Sequence, residues 1–129
     1  MTETIKRILI VEDEKSIANA LKLKLEGLGF GTVMAHNGAE GLKAADSGDF
    51  SLILLDLVMP KVDGFEFLKR LREKGIETPV MVLTNLGQDD DEAKVKELGA
   101  AEFFTKSRTP IREIVEKVEE FLGQRDEDK

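Results

Sequence analysis

Polar groups capable of chemistry stand in this chain where short apolar runs stop. Glu12 and Asp13 directly follow Ile8-Leu9-Ile10-Val11, and Asp56 directly follows Leu52-Ile53-Leu54-Leu55. Thr84 closes the run Val80-Met81-Val82-Leu83, and Lys106 closes the weaker run Phe103-Phe104-Thr105. Burying an uncompensated carboxylate is costly, so an acid at the end of a buried run reads as functional rather than as a cap for the next loop. Three carboxylates brought to one point repel each other; a cation must offset them, or one must keep its proton. The donors are oxygens, with no His or Cys beside them, which suits a hard cation such as magnesium rather than zinc. Lys106 adds a positive charge and Thr84 a hydroxyl donor. This set matches phosphoryl transfer to a carboxylate. Asp56 is the expected nucleophile, Glu12, Asp13 and Asp56 the expected metal ligands, and Lys106 and Thr84 the expected contacts to phosphate oxygens.

Such a site needs elements that bring these residues together. The four runs above and Thr32-Val33-Met34-Ala35 are mostly apolar at successive positions, the pattern of strands covered on both faces of a parallel sheet. Helical spacing lies between them. Ile17, Leu21, Leu25 and Leu28 form a stripe that ends at Gly29. Ala39, Leu42 and Ala45 follow Asn37-Gly38. Phe65, Leu68 and Leu71 are closed by Gly75, and a sparse set, Ala93, Val95 and Leu98, by Gly99. Ile111, Ile114, Val115, Val118, Phe121 and Leu122 form the clearest stripe, with Thr109 as N-cap and Pro110 as first helical residue. Strand and helix alternate five times, which predicts an α/β fold with a parallel sheet, helices on both faces and right-handed crossovers. The C-terminal strand ends of such a sheet share one edge, where ligands bind. In the flavodoxin-like order 2-1-3-4-5, strands one and three are neighbours, so Glu12, Asp13 and Asp56 meet.

The 129 residues suffice for a single domain, 1–129 with a core of about 5–123, and leave no room for a second. With 41% hydrophobic and 35% charged residues the chain is globular rather than disordered, and without cysteine it has neither disulfides nor thiolate metal sites. The net charge is −7 and lysines alternate with glutamates, so no basic patch is expected and no direct nucleic-acid partner. The apolar runs are far too short to span a membrane, and Met1–Arg7 is too polar for a signal peptide; a cytoplasmic protein is expected. His36, the single histidine, reads as a surface residue, Gly64 and Gly87 as turn residues, and Asp89-Asp90-Asp91 as an acidic helix start. The tail Arg125–Lys129 is expected to fray.

Taken in order, Ile8-Leu-Ile-Val-Glu-Asp-Glu14, Leu54-Leu-Asp-Leu-Val-Met-Pro60 with Asp63-Gly64, Val82-Leu-Thr84 and Phe103-Phe-Thr-Lys106 resemble the response-regulator receiver domains of bacterial two-component signalling. The resemblance covers nearly the whole chain and extends to the chemotaxis-type single-domain members. It implies a flavodoxin-like (βα)5 fold, a magnesium ion, and 4-aspartylphosphate formation at Asp56. A histidine kinase or phosphotransfer protein would be the donor, and small donors such as acetyl phosphate can substitute. It also implies that the main-chain carbonyl of Val58 is a metal ligand. Thr84 would move toward the phosphate and Phe103 turn inward, changing the affinity of the face made by helix four, strand five and helix five for a downstream effector. Dimerisation through the last helix and its neighbours occurs in the family, so a monomer or weak dimer is expected. Met1 and the charged tail favour a stand-alone protein over a receiver cut from a longer one.

Some positions depart from the family pattern. Ser107 stands where a proline preceded by a cis bond is usual; a cis bond before a non-proline residue costs about 3–4 kcal/mol, so a trans bond and a remodelled loop are expected. Phe103 lacks the hydroxyl of the tyrosine many relatives carry. Asn85 replaces a small residue and narrows access to the phosphate. Val58 and Leu86 flank the site and cannot orient an attacking water, which predicts slow self-dephosphorylation; a lifetime no longer than that of the Val58→Asn, Leu86→Glu variant would refute this.

Other classes fit less well. A haloacid-dehalogenase-type phosphatase needs a second acid two residues after its nucleophile, where this chain has Val58. A flavodoxin-like flavin binder needs a loop rich in Ser, Thr and Gly after the first strand, where Glu12-Asp13-Glu14 would repel a phosphate. A receiver fold that acts only by docking would not require the full set Asp56, Thr84 and Lys106. The expectation is therefore a signalling switch that catalyses only its own phosphorylation and dephosphorylation.

Overall fold

The computed structural model describes residues 5–59, 62–85 and 89–127. Its elements alternate as β1 (Arg7–Val11), α1 (Lys15–Gly27), β2 (Gly31–Ala35), α2 (Gly38–Ser47), β3 (Leu52–Leu55), α3 (Gly64–Glu73), β4 (Val80–Thr84), α4 (Asp89–Glu97), β5 (Ala100–Thr105) and α5 (Ile111–Glu127). The sheet has the order β2-β1-β3-β4-β5 and every pairing is parallel, as expected for the flavodoxin-like arrangement.

The successive apolar residues of the inner strands divide between two cores. Leu9, Val11, Ile53, Leu55, Val80 and Val82 pack with Leu42 of α2, Phe67 and Leu71 of α3 and Val95 of α4. Ile8, Ile10, Leu52, Leu54, Met81 and Leu83 pack on the other face with Leu21 and Leu25 of α1 and Ile114 and Val118 of α5. Each fully buried aliphatic side chain contributes about 1.5–3 kcal/mol, so the central strands hold the sheet edge above them firmly.

Several helical expectations change. Leu28 is exposed because α1 ends at Gly27 and the chain turns away through Gly29, at φ 98°. Ala39 and Ala93 also face outward. In α2 the inward positions belong to Gly38 and Gly41, together with Leu42 and Ala45. The sequence reading passed over Ala18 and Phe67, both fully buried. Pro110 occupies the cap of α5, its carbonyl accepting from Glu113 and Ile114, so Thr109 lies one residue outside it. The last helix continues through Glu127, into the segment expected to fray.

β5 begins at Ala100, earlier than its apolar run suggests, and carries an irregularity. Val80 pairs with Ala100 but Met81 pairs with Glu102. The extra residue reverses the side-chain alternation beyond it. Phe103 therefore joins the core on the α3 and α4 side, and Phe104 the core on the α1 and α5 side. At the far end of α3, Arg72 donates to the carbonyls of Ile76, Thr78, Leu98 and Gly99, tying the α3–β4 and α4–β5 connections together.

Candidate functional site

The backbone ladder carries directly into the site. Glu12 N–H donates to Ala35 O at 3.0 Å, and Asp56 N–H donates to Val11 O at 3.0 Å. Asp56 therefore stands one residue past β3, and Lys106 one residue past β5, its N–H donating to Thr84 O at 2.8 Å. One carboxylate oxygen from each of Glu12, Asp13 and Asp56 lies within 4.8 Å of the others, so the three could together hold a metal ion. Glu12 and Asp56 are buried, whereas Asp13 is exposed.

Lys106 reaches across the sheet edge to these acids. Its Nζ donates to Glu12 Oε2 at 3.0 Å, Glu14 Oε1 at 2.8 Å and Asp56 Oδ2 at 3.1 Å. Those bonds use the three ammonium protons. Glu12 Oε1 lies 2.9 Å from the same nitrogen, a charge contact that leaves this buried oxygen without a hydrogen bond. Glu12 Oε2 also accepts from the Glu14 N–H at 3.1 Å, and Asp56 Oδ1 from the Val58 N–H at 3.2 Å. A buried carboxylate oxygen whose one ammonium is shared among three acids, and which is left without a hydrogen bond of its own, has room for a hard divalent cation.

The electrostatics agree. Burial pushes the Glu12 carboxyl up to about 7; Asp56 adds to the shift, and the hydrogen bonds from Lys106 and the Glu14 N–H oppose it only in part. For Lys106, burial alone favours the neutral amine. The hydrogen bonds to Glu14 and Glu12 and the charges of Glu12 and Asp56 reverse that effect and hold its pKa above the ordinary lysine value. Lys106 is thus a firm cation among acids, and Glu12 holds its proton weakly near neutrality.

Above these groups opens a cleft of about 360 Å³ lined by Asp13, Glu14, Asp56, Val58, Asn85 and Lys106. Asn85 is part of its lining. Thr84 is fully buried at the end of β4, beneath the cleft rather than on its wall. The Val58 side chain is exposed. Phe103 is half-buried against the α3 side of the core rather than in the cleft. Leu86 and Gly87 lie outside the described residues. No described peptide bond is cis, so Lys106–Ser107 is trans, and Lys106 still reaches Asp56.

Two features escaped the sequence reading. Glu14 is part of the lysine cluster; its alternation with Glu12, two residues away, was the available signal. Gly64 is not simply a turn residue. It begins α3 behind Asp56, where a Cβ would lie 2.5 Å from Leu57 Cα and 2.6 Å from Asp56 O. Away from the cleft, His36 is half-buried rather than a surface residue, and its Nδ1 is buried without a hydrogen bond.

The geometry has counterparts among known proteins. The chain is 42% identical over 117 residues to the uncharacterized transcriptional regulatory protein YkoG of Bacillus subtilis (strain 168), covering 91% of this chain and 51% of that protein. The chain therefore spans about half the length of that relative. A CheY-like response regulator receiver domain protein from Methanospirillum hungatei JF-1 superposes with a TM-score of 0.88 at 26% identity, over 98% of this chain and 100% of the other. A response regulator from Burkholderia pseudomallei, solved with a phosphorylated aspartic acid, calcium ion and citrate, superposes with a TM-score of 0.77 at 25% identity, over 85% and 64% of the two chains. The family model of the response regulator receiver domain matches residues 8–119, and this chain belongs to that family.

Proposed function

We propose that the chain is a single receiver domain, 1–129, that accepts a phosphoryl group on Asp56. The observation that carries this reading is the junction of Glu12, Asp13 and Asp56 with Lys106 on Asp56 Oδ2 at 3.1 Å. The donor is a histidine kinase or phosphotransfer protein, as membership of the family supports. Glu12, Asp13, Asp56 and the Val58 main-chain carbonyl would hold a magnesium ion, whose charge offsets the negative charge of the transferring group. A carboxylate oxygen of Asp56 forms a bond to phosphorus as the P–N bond of the phosphohistidine breaks, and the imidazole keeps the electron pair. Lys106 donates to a phosphoryl oxygen, and the Thr84 hydroxyl turns toward another. The Burkholderia relative, solved with a phosphorylated aspartic acid and a calcium ion, supports an aspartate as the acceptor.

Thr84 and Phe103 lie on β4 and β5, so movement of the first leaves space for the second and alters the face formed by α4, β5 and α5. A downstream effector reads that face. The protein acts in the cytoplasm as a monomer or weak dimer; among the described residues no helix is long and apolar enough to cross a membrane.

Intact mass after incubation with magnesium and acetyl phosphate tests the reading. One added phosphoryl group is expected in the wild type and none in Asp56→Asn. The decay of that species after donor removal is expected to be slow, since the exposed Val58 side chain offers no group to orient water. If neither protein gains mass, and a kinase also fails to label the wild type, the chain is a docking module.

A further inference from the structure

The three protons of Lys106 are already committed, which poses a problem for phosphoryl binding. A phosphoryl oxygen can accept from Lys106 only if Glu12, Asp56 or Glu14 gives up its hydrogen bond. The three are not equally free to do so. The Glu12 side chain is 1% exposed and that of Asp56 4%, so bulk water cannot replace the ammonium at either; only a cation held by the acid cluster could, and Glu14 is outside that cluster. Separating a buried charge pair costs several-fold more than separating an exposed one. Glu14 is 51% exposed although its partner Lys106 is only 8% exposed. It is the acceptor that water can replace.

The placement of Glu14 supports the same choice. It occupies the N-cap position of α1, yet its side chain makes no capping bond and reaches for Lys106 instead. The first turn of α1 has no acidic residue. A released Glu14 carboxylate would therefore remain beside the positive end of that helix, in water, at little cost.

Resting on the phosphoacceptor reading, we propose that Glu14 is a positioning residue, a latch that holds Lys106 in the resting protein and yields it to the incoming phosphoryl group. Its carboxylate competes with the phosphoryl oxygens for one ammonium proton, and its charge opposes anionic donors at the cleft mouth. Glu14 thus slows phosphorylation and weights that penalty by donor charge.

Two small donors of different charge test this. Acetyl phosphate is a dianion at neutral pH, and phosphoramidate carries one net negative charge. The rate of mass gain is measured for the wild type and Glu14→Gln with each donor in saturating magnesium. The variant is expected to react about two- to fivefold faster with acetyl phosphate, the rate equivalent of an exposed ion pair, and to gain less with phosphoramidate. A role limited to supporting α1 would change both rates alike. Equal factors for the two donors, or slower reaction with acetyl phosphate, overturn the latch and leave the phosphoacceptor reading standing. No mass gain in either protein with either donor overturns both. Nitrogen NMR of the Lys106 ammonium gives an independent reading: its resonance must shift in Glu14→Gln, and an unchanged resonance overturns the latch.

Discussion

Glu12 carries the conflict between burial and charge at this site. Its carboxyl is raised from 4.5 to about 7, first by burial and then by Asp56. Between those values the folded protein holds a proton that the unfolded chain has released. The contribution of Glu12 to the stability of the metal-free protein therefore falls as pH rises from 4.5 to about 7, by on the order of 3 kcal/mol. Lys106 behaves differently. Its pKa is raised above 10.5, so its contribution is complete below that value and is lost only at higher pH. It is constant across the window in which Glu12 titrates. A divalent ion competes with the Glu12 proton, so magnesium should stabilise the protein weakly at pH 5 and strongly at pH 8. Chemical denaturation at both pH values, with and without magnesium, reads this directly. Glu12→Gln should flatten both the pH slope and its dependence on magnesium. An equal magnesium effect at the two pH values would exclude Glu12 as the ligand whose proton is displaced.

Elements position these groups through close contact as much as through burial. The start of α3 leans on the turn that carries Asp56, and Gly64 N–H donates to Leu57 O at 2.9 Å. A Cβ at Gly64 would meet main-chain atoms, which cannot swing aside as a side chain can. Gly64→Ala should cost about 1–3 kcal/mol in stability and slow phosphorylation by shifting Asp56 against Lys106. Gly123 in α5 provides the contrast, because a Cβ there meets nothing within 4 Å. Gly123→Ala should stabilise the protein by about 0.5–1 kcal/mol and leave the phosphorylation rate alone. Thermal unfolding and mass-gain rates of both variants check the pair; a Gly64→Ala protein matching the wild type in both would refute the wedge. These contacts also explain what the sequence could and could not disclose. β1, β3 and β4 were legible because continuous apolar runs admit few other arrangements, and the strand ends then brought Glu12, Asp13, Asp56 and Lys106 together. β5 was legible only from Phe103 onward, since its first half, Ala100-Ala101-Glu102, lies on an edge strand with less surface to bury. Gly41 was missed as an inward position because its signal is the lack of a side chain, with Phe67 and Val11 filling the space. The reach of Glu14 to Lys106 depends on rotamers across two loops, which spacing alone does not encode.

At the scale of the whole molecule, charge decides which partners are excluded. The net charge is −7, and many of the surface cations already have acidic or aromatic neighbours. Lys22 pairs with Glu26, Arg70 with Glu66, Lys74 with Asp46 and Lys96 with Glu92. Arg7 lies over the Phe50 ring. Individually such exposed pairs add little to stability, but a cation already beside an acid has less to offer a phosphate backbone. Phosphorylation of Asp56 would make the molecule more acidic still. The 129-residue chain should therefore bind duplex DNA more weakly than the about 10⁻⁴–10⁻⁶ M usual for non-specific binders, with or without the phosphoryl group. Fluorescence anisotropy with a labelled duplex at low salt, where electrostatic binding is strongest, measures this. Micromolar binding that weakens steeply with added salt would reveal a basic surface despite the net charge of −7. Its absence in both states would mean that residues 1–129 carry no affinity for nucleic acid of their own, so that Asp56 can act only through the surface this domain presents to another domain or protein.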